Sequence, residues 1–141
     1  LKKWKKVLLI IISILLMFAG IFSLTFIPHK IITIDPSEVS KIEIFSGNSG
    51  DEITVTNENQ IEHIISNLNE IRFQKNEFVF WRLGYDLNIT IYNKNGKRYK
   101  EFIMNGNESI RYNFFIFEDN TKSIDYDYID NLFDILEVKP W

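Results

Sequence analysis

The chain has 141 residues, 45% hydrophobic and 15% aromatic, with sixteen basic against nineteen acidic side chains, a formal net charge of −3 and no cysteine. Without cysteine there are no disulfides and no thiol chemistry. The charge is unevenly spread: residues 31–141 hold eleven basic and nineteen acidic side chains, a net −8, which repels phosphate backbones and argues against nucleic acid as a partner.

The chain opens on LKKWKK and then runs without a charge from Val7 to Ile27. As a helix, this run would measure roughly 31 Å at 1.5 Å per residue, about the thickness of a hydrocarbon core. The expected division is a basic cytoplasmic tail over 1–6 and a transmembrane anchor over 7–27, with Trp4 at the headgroups. Lys2, Lys3, Lys5 and Lys6 on one side place the N-terminus in the cytoplasm and residues 30–141 across the membrane. The rival reading is a cleaved signal peptide, but such peptides have shorter apolar regions, of about 7–15 residues, and small residues flanking the cut. Here the only suitably placed small-x-small triplet is Ser23-Leu24-Thr25, and no cysteine is present to carry a lipid. Abundant Ile, Asn and Lys with a single alanine, Ala19, fit an AT-rich Gram-positive source, and Leu1 reads as a literal alternative start codon.

Residues 28–40 read as a juxtamembrane linker, with a turn at Asp35-Pro36. An extracytoplasmic α+β domain is expected over 41–141. KIEIF (41–45) and EITVT (52–56) alternate β-branched residues around SGNSGD, the pattern of a hairpin. The period then changes: Ile61, Ile64, Ile65 and Leu68 form one helical stripe, opened by Asn57 and Gln60 at capping-box spacing. EFVFWRL (77–83), YDLNITIY (85–92), RYKEFIM (98–104) and IRYNFFIF (110–117) read as four strands, the middle pair joined at Asn95-Gly96. In the last, Ile110, Tyr112, Phe114 and Ile116 are expected on one face. A closing helix carries Ile129, Leu132, Phe133 and Leu136, with Asp125 as its N-cap. The predicted order after the anchor is β-β-α-β-β-β-β-α, an antiparallel sheet with both helices on one face.

Chemistry is sparse. The two histidines are His29, at the membrane edge, and His63, beside the apolar stripe without a nucleophile elbow. Asp119, Thr121, Ser123, Asp125 and Asp130 occupy positions 1, 3, 5, 7 and 12 of a calcium-loop register, but Ile124 stands where glycine is required. Glu77 and Asp86, near Trp81 and Tyr85, are the best carboxylate pair for glycan hydrolysis, and nothing in their spacing singles them out. No catalytic residue, metal or cofactor is assigned. Aromatics are more informative: strands 77–83 and 110–117 carry apolar side chains on both faces, and Phe78, Phe80, Trp81, Tyr85, Phe115 and Phe117 form a candidate interface.

The phrases KIEI, ITVTNENQIEHIISNLNEI, GYDLNITIYNKNGK and IDYDYIDNLFDIL, spread over about residues 41–136, resemble small domains of unknown function in Gram-positive bacteria. Those domains sit behind a lipoprotein signal or an N-terminal transmembrane helix. The resemblance implies a small α+β fold outside the membrane and carries over no site; the missing lipobox cysteine departs from the lipoprotein members. The expected function is a membrane-anchored binding module without catalysis. Alternatives are an immunity or inhibitor protein against a toxin or envelope hydrolase, and a glycan-acting enzyme using Glu77 and Asp86.

Overall fold

The computed structural model describes residues 2–80, 84 and 86–140. It opens with helix α1 over Lys3–Leu24, 22 residues long, none of them buried. A helix of this length spans about 33 Å and is apolar enough to cross a membrane. Ser13 and Ser23 turn their hydroxyls back onto the carbonyls of Leu9 and Ala19, so the few polar groups of the run are satisfied within the helix.

Beyond α1 come β1 (Val39–Ser46), β2 (Asp51–Val55), α2 (Glu58–Glu70), β3 (Phe73–Phe78), β4 (Leu87–Asn93), β5 (Arg98–Asn105), β6 (Ser109–Tyr112), β7 (Phe115–Asp119), α3 (Tyr126–Ile135) and β8 (Lys139–Pro140). Among the described residues these strands make one antiparallel sheet in the order β3-β7-β6-β5-β4-β1-β2-β8. The α+β class and the mixed order of elements are as expected. Three details differ.

The segment 110–117 is two strands, not one. Asn113 and Phe114 both adopt positive φ, 49° and 68°, and fold the chain back so that Tyr112 pairs with Phe115. Positive φ at both central residues is the geometry of the tight hairpin turn whose twist matches its strands. Asn tolerates it; a phenylalanine there is unusual. The reversal moves Phe115 and Phe117 to the face of Tyr112 and Ile110 and sends Ile116 to the other face, with Arg111. Second, the strand expected over 77–83 lies earlier, at Phe73–Phe78, and pairs with β7 at the sheet's far edge. Third, residues 28–40 are not a loose linker. His29 and Phe73 exchange both backbone hydrogen bonds, at 3.0 and 2.8 Å, Ile31 and Ile32 are buried, and Lys100 Nζ donates to the Ile31 carbonyl at 2.5 Å.

One face of the sheet is largely apolar, with Lys75, Lys100 and Asp119 toward its margins. Ile53 and Val55, Ile42 and Ile44, Leu87, Ile89 and Ile91, Phe102 and Met104, Ile110 and Phe117 succeed one another across it, all buried. Ile61, Ile64, Ile65 and Leu68 of α2, with Ile129 and Leu132 of α3, complete this core. Each such side chain contributes about 1.5–3 kcal/mol when buried. The opposite face presents Glu43, Thr54, Asn88, Glu101 and Arg111.

The helix ends follow the chemistry of their first residues, with one exception. Asn57 caps α2 by accepting from the N–H groups of Asn59 and Gln60, at 3.0 and 3.3 Å, whereas Asp125 makes no side-chain cap on α3. Its carboxylate is drawn instead to His63.

Ile64→Asp and Leu132→Asp each place a carboxylate in this dry core. Either should abolish the cooperative melting transition of the full chain in detergent micelles, read by near-ultraviolet circular dichroism. Asn57→Ala should leave the fold intact and lower stability by about 1 kcal/mol, read as a shifted denaturant midpoint.

Candidate functional site

The aromatic residues separate by environment. Phe78 and Phe80 are exposed, at 57% and 61%, and stack with centroids 5.8 Å apart. Phe115 is half-buried, edge-on to Phe78 at 5.4 Å and tilted against Phe22 of α1 at 6.3 Å. Phe117 is a correction to the expected interface. It is 5% exposed, because the reversal at 113–114 turns it toward Ile110 and the core, where the His29 ring meets it edge-on at 5.9 Å. Trp81 and Tyr85 lie outside the described residues.

Phe114, absent from the expected interface, belongs to this cluster: it sits at the hairpin apex, 68% exposed. Asn113 is the sequence signal for the turn that puts it there, masked by four apolar or aromatic neighbours that read as uninterrupted strand. The loop leaving β3 is held to the same apex, since the Val79 N–H donates to the Phe114 carbonyl at 2.7 Å. Phe22 and Lys75 also join. Lys75 Nζ donates to Thr25 Oγ1 at 2.9 Å and stands over the Phe115 ring at 4.1 Å and the Phe22 ring at 5.1 Å. A cation over ring faces is attracted by their quadrupoles, so this lysine clamps the end of α1 to the edge of the sheet.

Glu77 and Asp86 do not share a cleft. Glu77 pairs with Ile116, and the row continues through Arg111 and Ile103 to Asn88, two residues from Asp86. Four strand spacings separate Glu77 from Asn88, roughly 19 Å at about 4.8 Å each, far beyond the span of about 5–9.5 Å within which paired glycosidase acids work.

A groove of about 650 Å³ lies between α2 and the chain entering α3, lined by His63, Ser66, Asn67, Lys122, Ser123 and Asp125 among others. His63 Nε2 bonds Asp125 Oδ2 at 2.7 Å, and its ring stacks on Tyr128 with centroids 3.7 Å apart. Asn67 donates to the Ser123 carbonyl and accepts from the Asp125 N–H; Lys122 pairs with Glu70. These bonds run from α2 to the chain at α3 and read as a latch between them, with no serine hydroxyl bonded to His63. The calcium register is dispersed as well: Thr121 Oγ1 accepts from the Arg72 N–H, and Asp125 is committed to His63. Among the described residues no three His, Asp or Glu side chains gather as a metal site would require.

Burial pushes the Asp119 carboxyl above its ordinary value near 3.8, against the Ile124 N–H, which lowers it; the charges of Glu108 and Glu118 raise it further. On the opposite sheet face, partial burial would raise Glu43, but the hydrogen bonds it receives from Lys41 and Tyr92 outweigh this and hold it below the usual range.

No protein-family model, curated protein or solved structure matches the chain. What it does must be read from its own residues.

Because the folded state raises Asp119, the charged carboxylate costs stability above the folded-state pKa. That cost is relieved as pH falls through it toward the ordinary Asp value. Asp119→Asn should therefore raise the melting temperature at pH 7, with the advantage fading between pH 7 and pH 3 in a thermal series on both proteins.

Proposed function

We propose that the protein is a membrane-tethered, extracytoplasmic binding module that acts by contact rather than by reaction. In this reading α1 stays in the bilayer with Lys2, Lys3, Lys5 and Lys6 on the cytoplasmic side, and residues 28–140 form one body outside. The observation that carries it is the state of α1: 22 residues, apolar and uncovered by the domain, while the sheet and the other two helices bury a complete core without it. Exposed apolar area on that scale is stable only where another apolar phase covers it. The lysines set the orientation through the preference of basic residues for the cytoplasmic side. A net −8 over residues 31–141 keeps the outer body soluble. The kinship implied by the sequence phrasing, to small outer domains of Gram-positive bacteria, belongs to the same proposal.

Binding is favoured over catalysis because Asp125 is committed to His63 and Glu77 and Asp86 lie on strands far apart in the sheet, whereas the aromatic cluster is concentrated and exposed. The cysteine-free chain permits a direct test. With Glu108→Cys or Lys3→Cys in the full chain, an impermeant maleimide should label only the first on intact protoplasts and both after permeabilisation. The membrane-extracted product should keep the mass of the whole chain. Labelling in the reverse pattern, or a mass lacking the first 25 or so residues, refutes the tether.

A further inference from the structure

We infer that the hairpin apex formed by Phe78, Phe80 and Phe114 is itself a lipid-contacting surface, seated in the headgroup–acyl boundary of the leaflet where α1 ends. The inference rests on α1 spanning the bilayer and adds a second point of membrane contact. Beyond Ile27, where the uncharged run ends, the exposed large apolar residues among those described are Phe78, Phe80, Phe114 and Ile135. Three of these four are grouped at one corner of the sheet.

That corner is continuous with the anchor. Phe73 pairs with His29, Lys75 bonds Thr25, and Phe78 packs on Phe115, which packs on Phe22. Moving forward along β3 therefore means moving backward along the chain into α1: the strand descends beside the helix toward the bilayer. Three residues of extended chain cover about 10 Å, so when Thr25 lies at the polar boundary, Phe78 and the stacked Phe80 reach the depth of the last helical turn or below. Lys75 marks the boundary itself, its ammonium held between the Thr25 hydroxyl and the faces of Phe22 and Phe115. Phenylalanines at this depth complete an aromatic belt. Phe114 is held at φ 68°, a backbone state that side chains rarely adopt, and it turns an exposed ring outward at the apex. Lipid cover offsets the cost of that exposure.

The chain has no native cysteine, so single positions are readable by an environment-sensitive dye. The full-length variants Phe80→Cys, Phe114→Cys, Leu16→Cys and Glu108→Cys are each labelled with NBD and reconstituted in phosphatidylcholine vesicles with and without spin-labelled lipid, the nitroxide shallow for positions 80, 114 and 108 and at the acyl-chain end for position 16, which lies near the midplane of the span. Glu108 stands at the opposite end of β6 and β7 from the apex and serves as the outward reference. Dye at 80 and 114 should emit blue-shifted and be quenched roughly twofold, as for an apolar face lying about 5–10 Å into the interface, while dye at 108 is unaffected. Quenching at 16 without quenching at 80 and 114 overturns this inference and leaves the tether standing. A blue shift at 80 and 114 that lipid-borne quencher does not touch assigns the apex to protein contact and also overturns it. No quenching at 16 removes the tether and the inference together.

Discussion

The architecture depends on a single backbone exchange. His29 and Phe73 trade N–H and carbonyl across a two-residue bridge, and this joins the exit of the apolar helix to the edge strand of the sheet. A longer connection would leave the sheet free to tumble relative to the helix. Here the chain goes directly from Ile27 into the fold, burying Ile31 and Ile32 within five residues. Lys75, whose ammonium meets Thr25 and the surrounding rings, adds a second tie at the same corner. A domain held at two points beside its helix has a preferred attitude to whatever surrounds that helix.

That attitude orders the surfaces of the molecule. The apolar sheet face is used up by α2, α3 and the incoming chain. The opposite face mixes Phe45, Ile103 and Ile116 with charged side chains, some of them paired locally, as in Lys41–Glu43 and Arg98–Glu101. Exposed ion pairs of this kind contribute little to stability, but they leave the face hydrated. The groove beside His63 is likewise occupied by its own hydrogen bonds. Beyond Ile27, the large apolar side chains left in the open among the described residues are, apart from Ile135, at the corner where the sheet meets α1. The distribution is that of a small body whose exposed rings lie beside the end of α1.

Two local patterns give way in the fold. The left-handed Asn113-Phe114 turn splits a segment that alternation reads as one strand, and that split exposes Phe114 and buries Phe117. Asp125, an apt helix cap by type and position, gives up capping for a bond to His63, sixty-two residues away in sequence. There a long-range partner outweighs the local preference, since a cap and a paired carboxylate differ by only about 1 kcal/mol.

Much was already legible in the order of residues. Helical stripes at Ile61–Leu68 and Ile129–Leu132, the alternation in 41–45 and 85–92, and the uncharged run from Val7 to Ile27 are properties of period and composition, and neighbouring residues suffice to encode them. Strand order, the folding of residues 28–40 into the core, and the gathering of Phe78, Phe80 and Phe114 beside Phe22 were not legible. These depend on which distant segments meet, and a period-2 pattern records which face a residue takes, never which strand lies alongside it. The candidate surface was thus half visible as aromatic content; its location at the anchor's exit arises only when β3 pairs with β7 and not with its neighbour in sequence.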